Sequence, residues 1–181
     1  MTEQAVRERL LDTAESLFYA RGIQAIGMDR VRAGSGLSLK RIYQLYPGKE
    51  ELVLAFLNRR DERWRGRLAA HVGRTEAPHS RVLAVFDWLH GWFDEPDFRG
   101  CAWINAFGEL GAVSPAVAEV VRAHKRAFRD YLAELLAAEG HPAGLTAAIY
   151  LLAEGAMVTA AIHGDPEAAH DARTAAAALL S

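Results

Sequence analysis

The chain has 181 residues, of which 51% are hydrophobic and 24% charged, a balance ordinary for a globular protein of one domain or two small ones. Its one cysteine, Cys101, excludes an intrachain disulfide. The formal net charge is -2, but residues 1–50 carry +2 (eight Lys+Arg, six Asp+Glu) and residues 51–181 carry -4 (13 and 17), so only the N-terminal part is expected to meet a polyanion.

The N-terminal stretch MTEQAVRERLLD is charged and lacks the apolar segment of a signal peptide. The longest apolar run, AAIYLLAEGAMVTAAI, is interrupted by Glu154 and is predicted to be a buried helix rather than a membrane span. We therefore expect a cytoplasmic protein without membrane contact.

The first fifty residues predict one longer helix and two short ones. Residues 3–21 repeat apolar side chains at helical spacing. Two short helices, about 28–34 and 38–45, are joined by the segment GSGLS, in which Gly36 can adopt the positive φ of a tight turn. Ser38 is a good N-cap for the second of them.

The rest of the chain predicts further helices, which bring the total to about nine, and no confident strand. The fold class is therefore all-α. The predicted helices and caps are a helix from Lys49 to about 71, a helix capped by Ser80 after the loop 73–80, a short helix over 101–111, a helix to about 139 capped by Ser114, a helix over 144–163, and a last helix over 166–180 capped by Asp165 with Pro166 in its first turn.

Two short helices joined by a glycine turn are typical of a helix-turn-helix, whose second helix enters the DNA major groove. Lys40 and Arg41 suit guanine O6 and N7, Gln44 suits adenine, and Leu39 suits a thymine methyl group. The Tyr43 hydroxyl suits a phosphate. A solvated basic face is the alternative interpretation of the same pattern.

Lys49 is a sharper signal, because the positive end of the helix dipole disfavours a cation at the first residue of a helix. A phosphate bound there would accept hydrogen bonds from free backbone N–H groups and from the lysine together. Position and charge therefore favour a phosphate contact at Lys49.

Residues 7–57 resemble the N-terminal DNA-binding region of the tetracycline-repressor (TetR) family of transcriptional regulators. The resemblance is carried by RERLLDTAESLF, then RG, then the run DRV…SGLS…IYQLYPGKEEL. It implies a helix-turn-helix DNA-binding domain, 1–48, an all-helical ligand-binding and dimerisation domain, 49–181, and a homodimer on a double-stranded, pseudo-palindromic operator. The implied DNA-binding residues are Ser38, Leu39, Lys40, Arg41, Tyr43, Gln44 and Lys49.

Two groups of residues depart from the family pattern. Ile26 and Gly27 stand where the family often has threonine or serine, so we expect a phosphate-binding hydroxyl to be missing. Arg32, Arg41 and Leu45 also differ from the usual residues, so the operator sequence cannot be carried over from a relative.

The C-terminal region contains all four tryptophans and further aromatic residues, which could line an apolar pocket for a small-molecule effector. The segment FRGCAWINAFGEL, 98–110, is similar to a motif near the ligand cavity in one subset of these regulators. Plain core packing is the alternative. The candidate ligand-binding residues are Phe86, Trp92, Trp103, Asn105, Phe107, His124 and Phe128.

The last two helices are expected to form the dimer interface. The stretch EGAMVTAA has small side chains that permit close helix approach, and AAAALL has an apolar stripe that a monomer would leave partly exposed. Intramolecular packing is the alternative.

The sequence offers little for catalysis or metal binding. The segment GSGLSL lacks the rest of a nucleotide-binding motif, and the seven histidines have no metal-ligand spacing with the cysteine. We therefore predict no metal, no cofactor and no enzyme, but a ligand-responsive regulator, a repressor released by its effector. The alternatives are a small all-helical enzyme using the aromatic pocket, and a protein-interaction module with a basic head.

Overall fold

The structure is a computed structural model that describes residues 2–76 and 81–181. Within these residues every regular element is a helix, which confirms the predicted all-α class. The nine helices of the described residues are α1 Glu3–Arg21, α2 Met28–Ser35, α3 Leu39–Leu45, α4 Lys49–Gly73, α5 Arg81–Phe93, α6 Ala102–Leu110, α7 Pro115–Ala138, α8 Leu145–His163 and α9 Ala168–Leu180.

The chain divides into two compact units, and the division falls within α4 and within α7. The first unit comprises Met1–Asp61 and Ala102–Arg122, and the second comprises Glu62–Cys101 and Ala123–Ser181. The predicted domain boundary between residues 48 and 49 stays a prediction.

The first unit is built on the apolar face of α1. Leu10, Ala14 and Phe18 lie on this face at helical spacing and are buried, as predicted. The ring of Phe18 contacts that of Phe56 from α4, with centroids 6.0 Å apart. Ile42 of α3 is fully buried in the same unit. The two short helices are therefore anchored on a core that the longer helices supply.

An ion network also fastens α1 to α4. The Arg59 guanidinium pairs with Glu8, Asp12 and Glu15, each at 2.9 Å, and Arg60 pairs with Glu15 at 2.7 Å. The Arg59 side chain is 13% exposed. A partly buried ion pair of this kind stabilises the fold more than a fully solvated one, because water screens its charges less.

The second unit is centred on Trp64 of α4. Its ring meets those of Trp88, Trp92, His124 and Phe128 edge to face, at centroid distances of 5.0 to 5.6 Å. Edge-to-face pairs add to the free energy that area burial supplies. Aromatic side chains from α4, α5 and α7 therefore build one core.

The predicted helix caps differ in outcome. Ser38 caps α3, and the Ser114 hydroxyl accepts from the Val117 N–H at 3.1 Å, as predicted. The last helix starts at Ala168 rather than at residue 166. The reason is local, since the Asp165 carboxylate accepts from the Glu167 N–H at 3.0 Å and forms a turn before the helix. The predicted cap Ser80 lies outside the described residues.

By length and composition, α8 is the one helix among the described residues that would suffice to cross a membrane. A single helix of this kind is weak evidence for a membrane span, because core helices of proteins in water meet the same criteria.

Candidate nucleic-acid interface

The turn between α2 and α3 has the geometry that its sequence predicted. Gly36 adopts φ +67°, the left-handed region that favours glycine, and its N–H donates to the Arg32 carbonyl oxygen at 3.0 Å. The Ser38 hydroxyl then accepts from the Arg41 N–H at 3.2 Å. The direction in which α3 leaves the turn is thus set by one backbone conformation and one side-chain cap.

Close packing of α2 against α1 depends on Gly34. A Cβ atom at this position would lie 2.8 Å from Thr13 Cγ2, closer than real Cβ contacts. A larger residue at this position would therefore require the Thr13 side chain or the backbone of α2 to shift.

The two faces of α3 differ in burial. Ile42 and Leu45 are buried, whereas Lys40, Tyr43 and Gln44 are exposed, Tyr43 at 44%. Leu39 and Arg41 are half-buried and Ser38 is exposed. The outward face therefore offers an ammonium, a phenol and an amide within two helical turns, the donor types that read base edges and phosphates.

Arg41 has protein partners that the sequence did not indicate. Its guanidinium lies 3.6 Å from the Glu3 carboxylate and 3.5 Å from the Gln44 side-chain oxygen. Glu3 also accepts from Arg7 at 3.1 Å, and this bond, more than the charge of Arg41, lowers the pKa of Glu3. Arg41 therefore already has an anionic partner within the protein.

Lys49 is the first residue of α4, as predicted, but its side chain is half-buried. The ammonium lies 5.9 Å from the centre of the Phe18 ring. Burial lowers the pKa of Lys49, and the Glu109 carboxylate partly opposes that shift. The ammonium of Lys49 therefore lies over the face of an apolar ring rather than fully in solvent.

The start of α2 lacks a hydroxyl. Gly27 is the N-cap of α2 and supplies no side-chain bond, and Ile26 beside it is 2% exposed. A Cβ atom at Gly27 would meet nothing within 4 Å. That a phosphate contact is missing here stays a prediction.

Glu109 of α6 holds the loop between α1 and α2. Its carboxylate accepts from the N–H groups of Ile23 at 2.9 Å and Gln24 at 2.7 Å, and its carbonyl oxygen accepts from the Gln24 side chain. Sequence reasoning did not find this contact, because 86 residues separate Ile23 from Glu109.

The predicted ligand-binding residues are divided between the two units, and their binding role stays a prediction. Trp92, His124 and Phe128 meet around Trp64 in the second unit, where Phe86 is also fully buried. Trp103, Asn105 and Phe107 belong to the first unit, in which Trp103 is buried and Asn105 and Phe107 are exposed.

Three pockets lie beside members of this set, each within a single unit. A pocket of about 400 Å³ in the second unit is lined partly by Trp92, together with Arg67, His71 and Glu95. A pocket of about 340 Å³ in the first unit is lined by apolar side chains together with Asn105 and Glu109. A cavity of about 90 Å³ in the second unit is lined partly by Phe128. Ligand sites for drug-sized molecules measure roughly 300 to 1,000 Å³, so the two larger pockets have the size of one and the small cavity does not.

A left-handed glycine turn, a capped short helix and an outward polar face define a helix-turn-helix protein. A family model described as bacterial regulatory proteins, tetR family, matches residues 10–56. A model described as tetracyclin repressor-like, C-terminal domain, matches residues 78–176, more than half of the chain. The chain belongs to the TetR family of transcriptional regulators. Because members of this family are regulators, the enzyme alternative is set aside.

Solved structures agree with this assignment. A TetR-family transcriptional regulator from Streptomyces coelicolor is 33% identical with a TM-score of 0.88, over 99% of this chain and 90% of that one. A putative TetR-family regulator from Streptomyces avermitilis is 26% identical with a TM-score of 0.80, over 94% and 97%.

Curated relatives match over a shorter region. The HTH-type transcriptional activator FasR of Mycolicibacterium smegmatis is 30% identical over 134 residues, which are 72% of this chain and 58% of FasR. An uncharacterized HTH-type transcriptional regulator of Mycobacterium tuberculosis is 27% identical over 127 residues, 69% of this chain and 62% of the relative. The chain thus spans about three fifths of the length of these curated relatives.

Proposed function

We propose that the protein is a cytoplasmic, ligand-responsive regulator that binds a pseudo-palindromic operator through α3 and is released from it by a small-molecule effector. The observation that carries the proposal is the outward face of Lys40, Tyr43 and Gln44 on a helix anchored by Ile42 and Leu45. In this proposal the protein is a repressor, because transcription is blocked until the effector releases the protein from the operator. Because the relative FasR is named an activator, a promoter-reporter assay decides the sign of regulation.

The contacts divide by chemistry. Lys40, Arg41 and Gln44 read base edges, and Leu39 touches a thymine methyl group. The phosphate contacts come from Tyr43 and Lys49, and Ser38 caps the helix next to the backbone. Glu50 and Glu51 stand in the first turn of α4 and oppose a phosphate there, so the Lys49 charge is needed to offset them.

The operator requires two copies of α3 about 34–36 Å apart, one turn of duplex, and hence a dimer. Exposed apolar side chains on the last two helices support pairing through this face. Leu151 and Ile162 of α8 are 66% and 72% exposed, and Leu179 of α9 is 44% exposed. Such a stripe is unfavourable in water unless a second copy covers it.

Effector binding is proposed in the pocket of the first unit. Its walls include the rings of Phe18 and Phe56, and Asn105 and Glu109 supply polar groups for orientation. A ligand that displaces Glu109 would release the N–H groups of Ile23 and Gln24, just before α2. Such a ligand weakens DNA binding by the ratio of its affinities for the two conformations.

The proposal is tested by a salt titration on the duplex promoter of the adjacent operon. Lys49→Ala should weaken binding to every sequence and reduce the slope of log K against log salt by about one unit, since one phosphate contact is lost. Arg122→Ala is the matched control, because Arg122 is an exposed arginine of α7. No binding at low salt would refute the regulator assignment, and an unchanged slope would refute the Lys49 contact alone.

A gain of affinity is expected from Gly27→Thr. The position is the N-cap of α2, and its extended backbone and open surroundings accept a side chain. As a cap of α2, the hydroxyl would stabilise the helix by about a few tenths of a kcal/mol. It would also add a phosphate contact, so operator affinity should rise about threefold. Gly27→Ala supplies the Cβ without the hydroxyl, and an equal gain in that control would exclude the phosphate contact.

A further inference from the structure

Two histidines and one glutamate meet between α5 and α9 of the second unit. His90 Nε2 lies 3.2 Å from one Glu167 carboxylate oxygen, and His170 Nδ1 lies 3.0 Å from the other. The two imidazole rings stack with centroids 4.1 Å apart and planes within 10°. Neither the helix-turn-helix nor the proposed effector pocket uses this group.

The spacing of the ligand atoms suits a metal ion. The donor atoms of His90, Glu167 and His170 all lie within 4.8 Å of one another. Tetrahedral ligands about 2.0–2.1 Å from a zinc ion are about 3.3 Å apart, close to the two distances observed here. Because the lone pairs of the ring nitrogens lie in the planes of the stacked rings, binding an ion requires one imidazole to rotate out of the stack.

The chemistry of the donors selects a kind of ion. Imidazole nitrogen with carboxylate oxygen suits Zn²⁺ and its first-row neighbours, whereas Mg²⁺ and Ca²⁺ prefer oxygen ligands alone. Three protein ligands leave one tetrahedral position for water, which can reach the group because Glu167 and His170 are exposed.

The backbone around the group is held in place. The Asp165 carboxylate accepts from the Glu167 N–H at 3.0 Å, and Glu167 has helical φ and ψ, so Glu167 and His170 share one side at i, i+3 spacing. Arg173, one turn after His170 on α9, pairs at 2.7 Å with Asp87, one turn before His90 on α5. His90 is in the last turn of α5, where the helix dipole favours a cation.

We propose that His90, Glu167 and His170 bind one divalent ion of the zinc type, with water in the remaining position, and that the ion clamps α9 to α5. This differs from the sequence-based prediction of no metal, which considered spacing with the cysteine. The spacing of Glu167 and His170 was readable from the sequence, but the third ligand comes from 77 residues earlier in the chain.

The test is calorimetric titration of the full chain, freed of any affinity tag, with Zn²⁺. We expect one ion per chain, and at least about tenfold weaker binding in each of His90→Ala, Glu167→Gln and His170→Ala, since even the loss of an outer-shell partner weakens metal sites tenfold or more. His163→Ala, which removes an exposed histidine at the end of α8, should bind like the wild type.

Two further measurements distinguish the loss of a metal ligand from misfolding of a variant. Co²⁺ should give the visible absorption of a tetrahedral site in the wild type and lose it in His170→Asn. Zn²⁺ should raise the thermal midpoint of the wild type and leave that of His90→Ala unchanged.

Three outcomes would overturn the assignment. They are no bound ion at about 100-fold excess of Zn²⁺, wild-type affinity in all three ligand variants, or half an ion per chain, which would place the ion between two copies. The first would leave the group as a hydrogen-bonded surface cluster.

Discussion

Arg41→Ala is expected to weaken operator binding about 10- to 100-fold and to relax the preference at one base position, since a bidentate arginine–guanine pair contributes about 1–3 kcal/mol of discrimination. The guanidinium stands on α3 beside Gln44, at 3.5 Å, on the side of the helix next to the proposed DNA surface. Binding constants should be measured on duplexes selected from a random pool with the wild-type protein.

The ion pair between Arg41 and Glu3 leads to a second prediction. DNA has to replace the carboxylate at 3.6 Å from Arg41, and that carboxylate also repels phosphate. Glu3→Gln should therefore raise operator affinity several-fold, while its amide oxygen still accepts from Arg7.

A double-mutant cycle separates the two effects. If Glu3 acts through Arg41, most of the gain from Glu3→Gln should vanish in the Arg41→Ala background. It should persist in the background of Lys40→Ala, because Lys40 is an exposed basic residue of the same helix turn. Equal gains in both backgrounds would show that Glu3 acts only by general repulsion.

Glu139→Ala is expected to destabilise the protein by about 2–4 kcal/mol. This is the largest effect on stability that we predict for the loss of one polar side chain. The Glu139 carboxylate is almost fully buried, and one of its oxygens accepts from the N–H groups of Arg81 at 2.7 Å and Val82 at 3.0 Å. Its removal leaves two N–H groups at the start of α5 without their acceptor.

The size of the loss should depend on the acceptor more than on the charge. Glu139→Gln retains an oxygen and loses the favourable interaction with the helix dipole, so we expect a loss of about 1 kcal/mol. Glu134→Ala is the matched control, because Glu134 is an exposed glutamate of α7. The stabilities of the variants should be compared by urea unfolding at one protein concentration, followed by circular dichroism. Equal midpoints for Glu139→Ala and Glu134→Ala would contradict the role of Glu139 as a cap of α5.

The helix-turn-helix was largely predictable from its sequence. Gly36 and Ser38 act on atoms three or four residues away, and the burial of Ile42 and Leu45 follows from helical spacing. The start of the last helix was less predictable, because Asp165 forms a turn of its own and delays the helix to Ala168.

The aromatic residues illustrate the limit of periodicity. Helical spacing predicts which side of a helix is buried, and Trp92, Trp103 and Phe128 are all buried. It does not predict which buried side chains are neighbours, and Trp103 lies in a different unit from the other two. A single pocket lined by the whole predicted set therefore has no counterpart within either unit.

By itself the sequence determined the helices, the glycine turn, the cap of α3 and the resemblance to a DNA-binding family, because these depend on short-range backbone geometry and side-chain type. Only the tertiary structure decided that Glu3 holds Arg41, that Glu139 caps α5 and that His90 meets Glu167. Each of these partners is 38 to 77 residues away along the chain, and such pairs form only where the packing of whole helices brings them together.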